Sequence, residues 1–303
     1  MKDSYPSVSL ERFCWLLGLT RQALYKDTWK LKGKSSKEQL VVSEVKNIRR
    51  EHPAIGTRKL HGLLQGFYQQ HSIKMGRDAL FLTLSDHRLL IRRRKTRVCT
   101  TQSHHWLKKY SNLVKGWYPA LPEQLWVSDI TYVPCGRQHL YLSLVTDAYS
   151  HKIMGYHIAD TLEAVHCIKA LRMAVAGRLH PTHTLIHHSD RGIQYCSSCY
   201  TEVLMQNNIS ISMTESGDPL DNAIAERING IIKHEYLKHY GPSNLEQATE
   251  VLKQVVENYN EKRPHLSIQM HTPNKVHHQK LQVNRQWKKS KRTNTIVNQL
   301  NHL

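Results

Sequence analysis

LWVSDITYV at 125–133, then HLYLSLVTDAY at 139–149 and HKIMGYHIA at 151–159, mark the point where the hydrophobic period of this chain changes from helix to strand. Val, Ile, Leu, Tyr and Thr dominate each run. The links between them hold Pro134, Cys135, Gly136 and Ser150, so the three runs read as an antiparallel β-meander. Downstream, TLEAVHCIKALRMAVAGR (161–178) reads as a helix and THTLIHHSD (182–190) as a buried strand. A helix near 197–208, the strand ISISM (209–213), a helix in 218–236 and a long helix over 243–262 follow. Three strands, helix, strand, helix, strand, helix describes an α/β fold with a mixed five-stranded sheet covered by helices.

The residues before 125 read differently. A short helix from Leu10 to Leu17, a Gly18-Leu19 turn and a helix over 20–29 capped by Thr20 outline a helix-turn-helix. After the breaker HPAIG (52–56), TRKLHGLLQGF (57–67) and GRDALFLTLSDHRLL (76–90) form a second helical pair. IRRRKTRV (91–98) then places Arg92, Arg93, Arg94 and Lys95 together, a run suited to phosphate contact beside helical pairs in a basic protein. The expected organisation is a helical, helix-turn-helix-like DNA-binding region over 1–90, a basic linker over 91–120, the α/β core over 121–275 and a basic tail over 276–303.

Composition narrows the partner. Forty-three Lys and Arg against 24 Asp and Glu give a formal charge of +19, which favours a polyanion and makes nucleic acid the default. No run of eighteen apolar residues and no signal-type N-terminal segment is present, so a membrane span is excluded and a cytoplasmic, nucleoid-associated protein is expected. The six cysteines are scattered, and the lone CxxC at Cys196 and Cys199 has no partner motif, so neither a disulfide framework nor a zinc site is expected. Most of the 21 histidines read as polar surface residues.

Against that basic background the acids are informative. Asp129 lies mid-strand with Val127 and Thr131 on its own face, where burial costs several kcal/mol unless something pairs with the charge. Asp190 ends a strand, where an open sheet directs residues into its ligand crevice; it also reads as a turn acid before Gly192. Asp147 reads as a turn cap before Ala-Tyr-Ser. In DPLDNAIAERINGIIKHEY (218–236), Asp218, Pro219 and Asp221 suit a helix start, and Glu235 reads as a solvated residue in a mixed-charge turn. Opposite the stripe of Ile224, Ile228, Ile231 and Ile232, one helix face presents Asn222, Glu226, Gly230 and Lys233. By itself that face is either a solvated surface or part of a site.

Asp129, Asp190 and Glu226, separated by 60 and then 35 residues, sit in WVSDITYVP, HHSDRGIQY and DNAIAERINGIIKHEY, followed by YNEKRPHLSIQMHTP at 259–273. In these motifs, and in IGTRKL near the N-terminus, the chain resembles the OrfB-type transposases of IS-three-family bacterial insertion sequences, within the DDE transposase and retroviral integrase superfamily. The resemblance implies an RNase H-like integrase catalytic core. It implies that Asp129, Asp190 and Glu226 hold two Mg²⁺ ions, with Mn²⁺ able to substitute, for cleavage at the element's ends and 3′-hydroxyl strand transfer. Lys233 is then expected on the DNA, and Asn222 and Arg263 among the DNA contacts. The implied partners are double-stranded terminal-repeat and target DNA, further copies of the chain, and an upstream OrfA product, separate or fused. Where relatives carry an aromatic pair after the glutamate, this chain has ERINGII, and the retroviral HHCC zinc module is not evident, so no zinc is expected. The alternative is a catalytically inert DNA-binding regulator derived from a transposase; an RNase H-like nuclease without strand transfer is disfavoured by the basic N-terminal region and Lys233.

Overall fold

The computed structural model describes residues 9–16, 18, 20–91, 106–136, 138–215 and 222–283. The chain divides into two units, residues 1–94 and 95–303. Arg92, Arg93, Arg94 and Lys95 lie outside the described residues, as do Asp218, Pro219 and Asp221.

The first unit is helical: α1 (Leu10–Leu16), α2 (Arg21–Glu51), α3 (Thr57–Leu63), α4 (Gln65–Gln70) and α5 (Arg77–Asp86). The sequence reading ends the second helix near 29, yet α2 runs unbroken for 31 residues. No proline interrupts it before Pro53, and its C-terminal half carries Val41, Val45 and Ile48 into a core with Ile55, Leu60, Leu64, Leu80 and Leu84. That packing makes α2 the spine of the unit. A helix of this length is not the short second member that a helix-turn-helix outline predicts.

The second unit is built on five strands: β1 (Leu125–Cys135), β2 (Gln138–Asp147), β3 (Ile153–Ala159), β4 (Leu185–Ser189) and β5 (Ile209–Met213), in the order β3-β2-β1-β4-β5. The meander is antiparallel, and β4 and β5 join it in parallel, as β-α-β connections require. Helices α6 (Ala164–Ala176), α7 (Ile193–Cys196) and α8 (Ser198–Gln206) lie between these strands in sequence. Trp126, Val145 and Leu185 form one core cluster with side chains of α6 and α8. The opposite face packs on α9 (Ala223–Ile231), a π-helical segment over Ile232–Leu237, the single turn α10 (Lys238–Tyr240) and α11 (Leu245–Glu261), through Leu142, Leu144, Ile228, Ile232, Tyr236 and Leu252. Gly155 on β3 faces α6 so closely that a β-carbon would stand 2.0 Å from the Ala170 carbonyl oxygen, so only glycine fits.

Both borders of the core extend beyond the expected ones. Residues 106–120, read as linker, are strapped onto the sheet. Leu107 and Tyr110 pack against the α6–α8 cluster, Val114 packs beside Leu125, Val127 and Ala225, and the Leu113 amide donates to Ser212 Oγ at 2.9 Å. Apolar residues hidden among lysines hold this segment, and the charge pattern masks them. At the other end, α12 (Pro273–Gln279) places a fully buried His277 between Glu123 (Nε2 to Oε1, 3.2 Å) and Asp147 (Nδ1 to Oδ1, 3.7 Å). The Tyr149 hydroxyl donates to the Leu281 carbonyl at 2.8 Å, so packing continues past 275. Asp147 caps its turn, accepting from the Ser150 amide at 2.8 Å and hydroxyl at 2.7 Å, and it also accepts the Glu123 amide at 2.7 Å.

Candidate active site

Period-two alternation along β1 sends Trp126, Ser128 and Ile130 toward α6 and Val127 and Asp129 toward α9. In the parallel β1–β4 pairing Ser128 stands opposite Ser189, so Asp129 on β1 and Asp190, the residue just past the end of β4, follow on from paired neighbours. Asp190 serves as the turn acid that its place before Gly192 suggests. One oxygen accepts the Gly192 amide at 3.0 Å and closes the turn, and the carboxylate stands at the C-terminal edge of the sheet. Beneath the pair, His187 Nε2 lies 2.8 Å from Ser128 Oγ and 2.9 Å from the Tyr200 hydroxyl, tying β1, β4 and α8 together one step before the acids. Burial brings His187 down to about 3, so this imidazole is neutral.

Helix α9 supplies the third acid. Asn222, just before it, donates to the Ser128 carbonyl at 2.9 Å, and Asn229 donates to Asp129 Oδ2 at 2.9 Å. Glu226 lies four residues after the first and three before the second, on the same helix face, so β1 contacts bracket it. It is exposed, whereas Asp129 and Asp190 are half-buried. The electrostatics agree with this grouping: burial, then the Asp190 charge, and to a lesser extent that of Glu226, lift Asp129 to about 7 against the opposing bond from Asn229. Among the described residues no donor reaches the buried Oδ1 atoms of Asn222 and Asn229, which leaves a corner rich in oxygen acceptors. Among the described residues no three His, Cys, Asp or Glu side chains converge tightly enough, as they stand, to hold an ion.

Residues 119–219 match the integrase core domain family, and residues 207–273 match a second model with the same description. Over 256 residues the chain is 33% identical to the insertion element IS600 uncharacterized 31 kDa protein of Shigella sonnei, an alignment covering 83% of this chain and 92% of that one. This chain belongs to the insertion-sequence transposases of the integrase superfamily. Transposase InsF for insertion sequence IS3A of Escherichia coli is 33% identical over 164 residues, 53% of this chain and 56% of that protein. The putative transposase for insertion sequence element IS986/IS6110 of Mycobacterium tuberculosis is 38% identical over 124 residues, 40% of this chain and 45% of that protein. The transposase thus spans about half the length of these two relatives. Among solved structures, the HTLV-2 integrase catalytic core domain in complex with magnesium aligns at 21% identity and a TM-score of 0.42, over 52% of this chain and 98% of that one.

Two expected DNA contacts of the transposase fall elsewhere. Arg263 is fully buried; Nη2 and Nε meet Glu235 Oε2 at 2.8 and 3.3 Å, and Nη1 meets His265 Nε2 at 3.0 Å. Its guanidinium is spent inside the fold, and Glu235, read as solvated, is its partner. Asn222 is buried at 6% exposure, with its amide committed to β1, so it anchors α9 and does not reach outward. Lys233 is half-buried at the start of the π-helical segment. The transposase also hides histidines that the sequence reading left on the surface: His187, His188 and His277 are all buried. Strand alternation through THTLIHHSD carries the signal for His187, whereas nothing local to residue 277 announces its burial. Asn229 is another residue the sequence reading missed, although its place three after Glu226 puts it on the acidic face. Cys196 packs its sulfur 3.6 Å from that of Met213, while Cys199 is exposed.

Proposed function

We propose that this chain cleaves DNA at insertion-sequence ends and joins the resulting 3′-hydroxyl to a new strand, with Asp129, Asp190 and Glu226 as the acid trio of a divalent-metal mechanism. The observation that carries the reading is the bracketing of Glu226 by Asn222 and Asn229 against Ser128 and Asp129, beside the neighbouring Asp190. Two carboxylates whose charges act on a third that burial already penalises call for a cation. Their oxygens, with the unpartnered Asn222 and Asn229 oxygens nearby, suit Mg²⁺ or Mn²⁺ rather than a softer metal. When bound, a pair of such ions supplies charge stabilisation at the attacking and leaving oxygens of the phosphodiester.

The chain's own residues do the rest. Asn229 fixes the orientation of Asp129, and the Gly192 amide fixes that of Asp190. Glu226, exposed on its helix and acting electrostatically on Asp129, is the third carboxylate of the set. Lys233, seven residues on, supplies a cation for the phosphate backbone on the same face. No side chain acts as nucleophile: the attacking oxygen belongs to water in the first step and to the DNA 3′-hydroxyl in the second. The charge of +19 suits double-stranded terminal-repeat and target DNA. The proposal includes assembly of several copies on DNA and cooperation with an upstream OrfA product.

The test is incubation of the purified chain with Mg²⁺ or Mn²⁺ and labelled terminal-repeat duplex. Cleaved and joined products are expected. Cleavage without joining identifies a nuclease, binding without cleavage identifies a regulator, and either result overturns the proposal.

A further inference from the structure

The strap over 106–120 has two sides. Leu107, Tyr110 and Val114 turn inward and account for its attachment. Outward it presents Trp106 at 92% exposure, Trp117 at 40% and Tyr118 at 55%. Lys108, Lys109 and Lys115 stand between them, also exposed. Lys108 lies 5.1 Å above the Tyr110 ring, and Lys115 sits at the tip of a tight turn closed by the Trp117 amide on the Val114 carbonyl at 3.1 Å. The Trp106 and Trp117 rings, left in water beside lysines, gain nothing for the fold, which inward residues already secure. They combine the two elements that hold unpaired nucleic acid: flat faces for bases and ammonium groups for phosphates.

The strap also runs beside the acids. Val114 shares its cluster with Val127, two residues before Asp129 on the same strand face, and with Ala225, the residue before Glu226. Lys115 pairs with Glu215 at 3.3 Å just past β5, and the Met213 amide donates to the Ser111 carbonyl at 3.3 Å. Lys109 and Arg191, the residue after Asp190, both act electrostatically on Cys196.

We infer that this strap is a docking surface for an unpaired DNA strand at the end being processed, with Trp106 and Trp117 stacking on its bases and the strap lysines on its backbone. The inference rests on the proposed DNA cleavage and joining activity, for which it names the form of the substrate beside the acids. Inside a duplex the bases are stacked on one another and only the terminal pair shows an open face, so two separate rings find base faces together only on an unpaired strand, and the strap discriminates a frayed or tailed end from a blunt one.

The experiment measures binding of the full chain, in EDTA, to a labelled duplex carrying an unpaired thymidine tail and to the same duplex blunt-ended. Tryptophan fluorescence and anisotropy are recorded together. Wild type should prefer the tailed duplex and show quenched tryptophan emission on binding it. Trp117→Ala should weaken tailed binding roughly tenfold, as expected for one lost stacking contact, and leave blunt binding within about twofold. Trp106→Ala should do the same, and Trp117→Phe should keep most of the preference because a flat ring remains. Thermal unfolding of each variant should match wild type, since the rings do not hold the strap. Equal loss on blunt and tailed DNA, or no loss on either, overturns the inference. So does a change of oligomeric state in sedimentation with tail preference intact, which would make the strap an interface between copies. Tail-dependent binding by a chain that never cleaves or joins overturns the proposed activity alone; cleavage and joining without any tail preference overturns only the docking surface.

Discussion

Replacing Asp129 by asparagine is expected to stabilise the metal-free protein while abolishing its activity. Burial first, then the charges of Asp190 and Glu226, move this carboxyl from its ordinary 3.8 to about 7, with Asn229 opposing. At about 1.36 kcal/mol for each tenfold, holding the anion above neutral pH costs the folded state about 4 kcal/mol. Water reaches the half-buried group and screens part of the repulsion, so about 2–3 kcal/mol is the realistic gain on neutralisation. The direction with pH follows from proton binding. Between about pH 4 and pH 7 the folded wild type keeps a proton that the unfolded chain has lost, so its stability falls as pH rises through this window. The asparagine variant has no such loss. Its advantage should be near zero at about pH 4, grow to about pH 7 and stay level above, reaching roughly 4–12 °C in melting temperature for a unit of this size. Thermal unfolding followed by circular dichroism in EDTA reads this directly, and added Mg²⁺ should then raise wild type more than the variant. An asparagine variant less stable than wild type at pH 8, or an advantage that does not change with pH, would refute the crowding of charge on which the site is argued.

Asp190→Asn and Glu226→Gln should each abolish cleavage and joining while DNA affinity holds or rises, because a metal ligand is lost and repulsion of phosphate is relieved; gel assays of binding and product measure both. Lys233→Ala should weaken end-DNA binding and reduce the slope of log affinity against log salt by about one, as read in a salt titration. Arg263→Ala should destabilise the protein by about 3–5 kcal/mol in denaturant unfolding, because the buried partner of Glu235 is removed, and it should leave that salt slope unchanged in the folded fraction. His277→Ala should cost most stability at acid to neutral pH. Burial opposes the charge on His277, but its bonds to Asp147 and Glu123 outweigh that and raise its pKa, so the contribution is lost as pH rises through the raised value. Chemical denaturation across pH should show the gap between wild type and variant narrowing toward alkaline pH.

The sheet was readable because its signals are local. β-branched and aromatic runs, Pro134 to Gly136 as a turn, and an aspartate stranded in an apolar strand can each be recognised within a dozen residues. Of the acids only Asp129 stood out for the same reason, since a charge placed where burial penalises it needs an explanation; Asp190 and Glu226 each also had an ordinary local reading, as a turn acid and as part of a solvated face. What escaped depends on distant partners. Nothing local to Arg263 announces the decisive partner, because His265 is a neighbour but Glu235, which takes two of the guanidinium's bonds, lies on the π-helical segment far upstream in sequence. His277 similarly meets Glu123 across most of the core, and the strap over 106–120 hides three inward apolar residues in a stretch that reads as basic linker. The 31-residue α2 escaped for the opposite reason: Gly33, Ser35 and Ser36 argue locally for a break, and the packing of Val41 and Val45 overrides them.

The π-helical segment at 232–237 separates two demands on one rod of chain. Upstream of it, the spacing of Asn222, Glu226 and Asn229 is fixed by β1; downstream, Glu235, Tyr236 and Leu237 must meet Arg263 and the core. A uniform α-helix has a single phase and would have to satisfy both with one set of angles. The wider turn takes up about one extra residue and resets that phase, so the two halves can be aimed independently. Deleting one residue here would therefore let the wide turn close to a regular α-helical one, with the acids still aligned upstream and Tyr236 and Leu237 still directed at the interior they fill. Insertions and deletions at this point adjust how the rod is seated without disturbing the chemistry it carries.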